Sequence, residues 1–163
     1  MSQTLPQVAH DHHERILHHV DRMPEMADLL LTGRAGEIGP RIAETTAFLT
    51  GTLIPHMEAS EATLYPELER MFQNRHSMAP MRREHAEVRR LVAEFARLAA
   101  KVEDGRLTLG RALALRRVAF QLYALLKIHL TEEDAYLRIV EHEVETEAAE
   151  VIAAAFEHPM SVA

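Results

Sequence analysis

The chain has 163 residues, 47% hydrophobic and 26% charged, which suits one domain with a real core and a solvated surface. Its formal net charge of -7 argues against a nucleic-acid partner, because binding a phosphate backbone needs a basic face. There is no cysteine for disulfide or thiolate chemistry, and no apolar run approaches the ~20 residues of a membrane span.

The opening "MSQTLPQVAHDHHE" has no basic segment leading into an apolar run, so a cytoplasmic location is expected. Aromatics are only 5% and glycine is scarce, while Ala, Leu, Glu and Arg dominate, a mix that favours helices over strands. Against that background the 11 histidines stand out and direct the search for a site.

A first helix is predicted from near Pro6 to the breakers in "LTGRAGEIGP". Its apolar seam is Ile16, Val20, Met23, Ala27 and Leu30. Run backwards at 100° per residue, the seam passes midway between His12 and His13, each about 50° off centre. Periodicity leaves that choice open, and it puts His19 at the seam edge.

The second helix is predicted from about Pro40 to Gln73. Ile42, Thr45, Leu49, Leu53 and His56 form its seam, which resumes at Leu64, Leu68 and Met71 or Phe72. Glu61 belongs to the second series, so the seam slips between His56 and Glu61. A kink near Pro55 or a one-residue π-bulge would produce the slip and turn Glu61, rather than Ser60, inward.

Pro80 opens a third helix that reaches Val102, with Val88, Val92, Phe95, Ala99 and Val102 on the seam. His85 lies on the seam edge, with Glu84 and Arg89 beside it. Thr108 is placed to cap a fourth helix running to about Val144. Its inward series is Leu115, Val118, Leu122, Leu125, His129, Glu133, Tyr136 and Val140. A carboxylate in a core seam calls for a proton, a cation or a metal.

"ETEAAEVIAAAFE" adds a short fifth helix at about 146–157. The expected fold is all-α: an antiparallel up-down-up-down four-helix bundle over about 6–144, in one domain spanning the chain. Depth counting along such a bundle brings His12 or His13 level with His56, and His85 within about a turn of His129. Histidines and carboxylates meeting from four helices suit iron, manganese or zinc, and the lack of thiolate removes the soft-metal options. Met57, Met78 and Met81 read as packing or loop residues.

In order and spacing, "DHHERILHHV", "HMEASEATLYPEL", "MRREHAEVRRL" and "HLTEEDAYL" resemble the four helix blocks of the hemerythrin-like, or HHE cation-binding, family. The resemblance covers roughly Pro6 to Val144. It implies a centre of two iron ions in an antiparallel four-helix bundle, with an open position for O2, peroxide or nitric oxide. Carried over, His12 or His13, His56, His85 and His129 are the terminal ligands, and Glu61 and Glu133 the bridging carboxylates.

Two departures qualify this. The family often has a glutamate where Ser60 stands, and oxygen carriers have a further third-helix histidine where this chain has Met81 or Arg89. His19, His76 or Tyr136 are the substitutes on offer. A ligand-poor, open site favours peroxide chemistry or redox cycling over reversible oxygen carriage.

The expected partner is thus a small diatomic or peroxide ligand, with no nucleic acid and no membrane, in a monomer or homodimer. Competing classes are a metal-free or zinc-binding helical interaction module, a ferritin-type carboxylate protein and a metallohydrolase. The last two are disfavoured by the lack of any E-x-x-H or H-E-x-x-H.

Overall fold

The computed structural model describes residues 5–72, 78–102, 106–143 and 146–157. The described residues are helical throughout their regular structure, with no β-strand among them. No helix among them is long and apolar enough to cross a membrane.

The first predicted helix is divided into α1 (Leu5–Asp21) and α2 (Met23–Thr32). Pro24, in the first turn of α2, is the cause: it cannot donate a backbone hydrogen bond, and its ring presses on the preceding turn. The seam nevertheless continues across the break, and Ile16, Val20, Met23, Ala27 and Leu30 are all buried.

The long second segment starts at Ala35, earlier than its predicted start at Pro40. The Glu37 carboxylate accepts the Arg34 backbone N–H at 3.2 Å, which fixes the entry to α3 (Ala35–Phe48). From α3 the chain continues through a π-helical turn π1 (Leu49–Leu53), α4 (Ile54–Ala59), a second π turn π2 (Ser60–Leu64) and α5 (Tyr65–Met71).

Each π turn immediately precedes an X-Pro pair, Ile54-Pro55 and Tyr65-Pro66. The last N–H before each proline reaches back five residues, from Ile54 to the Leu49 carbonyl and from Tyr65 to the Ser60 carbonyl. Widening the turn relieves the clash that a proline ring makes with a regular α-helical turn.

This placement corrects the expected slip. Ser60 N–H bonds to the His56 carbonyl, so the helix keeps α spacing from His56 to Ser60. The extra residue is taken up after Ser60. Ser60 is therefore buried, and Glu61 stands at the edge, only partly buried.

Helices α1, α2 and α6 (Ala79–Ala99) pack along α7 (Leu109–Glu143), α3 packs on α2 and α6, and α8 (Thr146–Glu157) lies against α1, α4 and π2. Along α7 the buried series is Leu115, Val118, Leu122, Leu126, His129, Leu130, Glu133 and Leu137. Leu125 and Tyr136 are only half-buried, because a true 3.6-residue period drifts toward Leu126 and Leu137 over this length. Met57, Met78 and Met81 are buried packing residues.

Two apolar clusters result. The larger includes Val20, Leu53, Val88, Leu122 and Leu130, and the smaller includes Leu64, Tyr65, Leu68, Met81, Leu137 and Ile152. In the sequence, His85 of α6 and Glu133 of α7 fall between positions of one cluster and positions of the other, while His56 and His129 are flanked by members of the larger cluster, Leu53 and Met57, and Leu126 and Leu130.

Candidate metal centre

His12, His13, His56, His85 and Glu133 have no exposed surface, and His129 is 1% exposed. Burying this many ionisable groups costs several kcal/mol per uncompensated charge, so the pairing among them decides whether the layer is tolerable. His13 comes from α1, His56 from α4, His85 from α6, and His129 and Glu133 from α7.

Glu133 is at the centre. Its Oε2 lies 3.1 Å from His13 Nε2 and 3.1 Å from His56 Nε2. Its Oε1 is buried with no hydrogen-bond partner among the described residues. His85 and His129 lie beyond, their Nε2 atoms 2.9 Å apart, and the Tyr65 hydroxyl is 3.1 Å from His85 Nε2.

The outward nitrogens are engaged as well. His85 Nδ1 donates to Glu61 Oε1 at 2.8 Å, and His129 Nδ1 donates to Glu84 Oε2 at 2.8 Å. His13 Nδ1 contacts Asp134 Oδ1 at 2.5 Å. His56 Nδ1 instead meets His12 Nε2 at 3.0 Å. Four inner histidines thus point Nε2 at a common interior, each held from behind.

This arrangement separates His12 from His13, which periodicity cannot do: His13 joins the inner set, and His12 stands behind His56. Glu61 likewise stands behind His85, where it also accepts Arg89 Nη1 at 2.9 Å. Tyr65 is the residue that periodicity does not single out. It enters because π2 turns it inward together with Leu64, and the signal was the second proline, Pro66. Asp134 and the contact of Glu84 depend on side-chain reach rather than on seam position.

Of the substitute ligands, His19 stacks on Phe48 with ring centroids 4.6 Å apart, and Tyr136 packs edge-on against Phe72 at 6.4 Å. Neither is in the cluster. His76 lies outside the described residues.

The electrostatics follow from burial and pairing. Burial opposes ionisation of Glu133, but His56 and His13 outweigh it and hold its carboxyl well below the usual range. Burial also opposes protonation of His13, yet the hydrogen bonds to Asp134 and Glu133 raise its pKa to about 9. Burial, with neighbouring His56, His13 and Arg15, lowers His12 to about 3. Burial, with His129, lowers His85 to about 4. The Tyr65 phenol is pushed up by burial and by Glu133, so it remains a proton donor.

These shifts predict a stability maximum for the metal-stripped protein. His12 and His85 titrate in the fold below their usual 6.5, so the unfolded chain gains protons that the fold refuses, and stability falls from pH 6.5 toward 4. His13 acts oppositely: its contribution is full below 6.5 and is lost as pH rises through about 9. Thermal unfolding followed by circular dichroism should peak near neutrality, and a steady rise from pH 4 to 9 would contradict these assignments.

The residues fit a cation. Because His85 and His129 both donate at Nδ1, their neutral forms turn two lone pairs on each other across 2.9 Å. A cation or proton between them converts that repulsion into attraction. Among the described residues, two three-member groups have ligating atoms close enough to hold an ion, His13–His56–Glu133 and His85–His129–Glu133, and they share only Glu133. Imidazole with carboxylate is a donor set for iron, manganese or zinc.

Comparison with curated proteins and with solved structures gave no match. The family model for the hemerythrin HHE cation binding domain matches residues 5–137. That span contains every inner histidine, Glu133 and all the partners behind them, and the chain belongs to the hemerythrin HHE cation-binding family.

Proposed function

We propose that the protein is a non-haem di-iron protein that binds or processes O2, peroxide or nitric oxide. The observation that carries this reading is the pair of buried groups sharing one carboxylate. On this reading α1 with α2, the segment α3 to α5, α6 and α7 form an antiparallel up-down-up-down bundle, with α8 added across one end.

His13 and His56 would hold one ion, His85 and His129 the other, and Glu133 both. Once bound, iron would supply the redox chemistry and the affinity for the small ligand. The chain's own residues do the rest. Burial on all sides keeps bulk water from the interior and strengthens each electrostatic interaction there. Tyr65 places its hydroxyl 3.1 Å from His85 Nε2, where it would be a proton donor inside the buried layer. Glu61 orients His85 rather than bridging. A cytoplasmic monomer or homodimer in oxidative or nitrosative stress is the setting we favour.

Metal analysis with a visible spectrum tests the reading. About two irons per chain with near-ultraviolet oxo-to-iron absorption is the expected result. One zinc without colour would preserve a cation site and refute the di-iron chemistry. Absence of stoichiometric metal after reconstitution would favour a helical interaction module.

A further inference from the structure

Ser60 is buried alongside the histidines but belongs to neither cation group. Its α spacing from His56 puts it one turn further along, on the same face of the helix, and His56 on that face meets Glu133. Other hydroxyls of this segment turn back on their own backbone. Thr45, Thr46, Thr50 and Thr63 donate to the carbonyl four residues earlier, at 2.9, 2.8, 2.9 and 2.7 Å. Ser60 Oγ does not, and it has no hydrogen-bond partner among the described residues. Glu133 Oε1 has none either, so the two atoms do not meet. The Tyr65 hydroxyl, by contrast, has both His85 Nε2 and Glu133 as acceptors. A buried donor without an acceptor is costly unless a bound group supplies one.

The charge of the layer says what such a group would be. Two divalent cations, held by four neutral imidazoles and the single carboxylate of Glu133, leave a positive excess away from bulk water. Asp134, Glu84 and Glu61 offset only part of it. They stand behind the rings with side chains 24%, 25% and 28% exposed, so solvent screens them, and Glu61 is already paired with Arg89. An anion inside the layer would remove the excess.

We infer that the loaded centre takes up a small exogenous carboxylate anion, of which formate is the simplest, and that the Ser60 hydroxyl donates to it. A carboxylate has one oxygen for a cation and another for the hydroxyl, whereas chloride has to serve both with a single atom. The inference rests on the cation reading above.

Calorimetric titration of the iron-loaded protein with formate tests this, in carboxylate-free buffer and after its iron content has been measured. Formate should bind wild type stoichiometrically. Ser60→Ala should hold as much iron and bind formate about tenfold more weakly, through loss of a hydrogen bond to a charged group. Chloride, titrated in the same way, should not distinguish the two proteins. Ser60→Glu supplies a tethered carboxylate one turn from His56 and should abolish formate binding with iron retained.

No formate binding by wild type, equal affinity in Ser60→Ala, or undiminished binding in a folded Ser60→Glu would overturn the inference while leaving the irons. An equal loss of chloride affinity would overturn the choice of a carboxylate. Wild type that holds no cation would overturn the cation reading and the inference with it. Thermal melts of the metal-stripped proteins give a measure that needs no iron. Ser60→Ala should melt no lower than wild type, since it removes a donor that has no acceptor. A clearly lower melting temperature would mean that Ser60 has a partner within the fold, which counts against the inference. Should Ser60→Glu fail to fold, Ser60→Ala decides.

Discussion

Replacing Glu133 by alanine is expected to empty both candidate cation positions in one step. It is the sole member shared by the two groups, and its Oε2 is 3.1 Å from both His13 and His56. Each group would be left with two imidazoles and no anion, too little to hold a hard dication against solvent. Iron content should fall from about two per chain to well below one.

The metal-stripped variant should also be less stable, by ~3–5 kcal/mol, because the His13 cation loses one of its two carboxylate partners inside the core. Denaturant melts and metal analysis together check both parts. Glu61→Ala provides the contrast. It stands behind His85, so its loss should weaken iron binding only ~10–100-fold, with iron retained at saturating concentration. Equal loss of iron from the two variants would return Glu61 to a bridging role.

The second large effect concerns Tyr65. Tyr65→Phe preserves the buried ring that packs with Leu64, Leu68 and Met81 and removes only the hydroxyl at His85 Nε2. Folding should lose ~1 kcal/mol and iron content should be unchanged. If the phenol delivers a proton to the bound small ligand, consumption of peroxide by the iron-loaded protein should slow by ~100-fold. An unchanged rate would confine Tyr65 to packing.

Much of this was legible in the sequence because a seam at 100° per residue survives local irregularity. Ile16, Val20, Met23, Ala27 and Leu30 are buried as their spacing implies, although Pro24 breaks the helix in their midst. His56, His85, His129 and Glu133 were visible by the same rule, as polar residues on otherwise apolar stripes. His12 and His13 were not separable, since an angle about 50° to either side of a seam says nothing about which neighbour each meets.

The slip in the second helix was visible but not its place. Periodicity registers that an extra residue lies somewhere between two seam positions, and the backbone bond from Tyr65 to Ser60 decides where. The partners behind the histidines were out of reach for another reason. Glu84 and Asp134 contact rings from the seam edge through their own length, which no seam angle encodes.

The π turns carry a further consequence. Each accommodates a single surplus residue, so the helix from Ala35 to Met71 holds two residues that could be deleted without ending it. Deleting one within Ser60–Leu64 would restore ordinary winding and leave α5 facing the same way, because four α-helical residues turn about as far as the present wide turn does. Keeping every residue but winding the turn as an ordinary α-helix would instead rotate α5 by roughly 100° and carry Tyr65 off the interior. What faces His85 therefore depends on the wide turn being held, and Pro66, which disfavours regular winding there, helps to hold it.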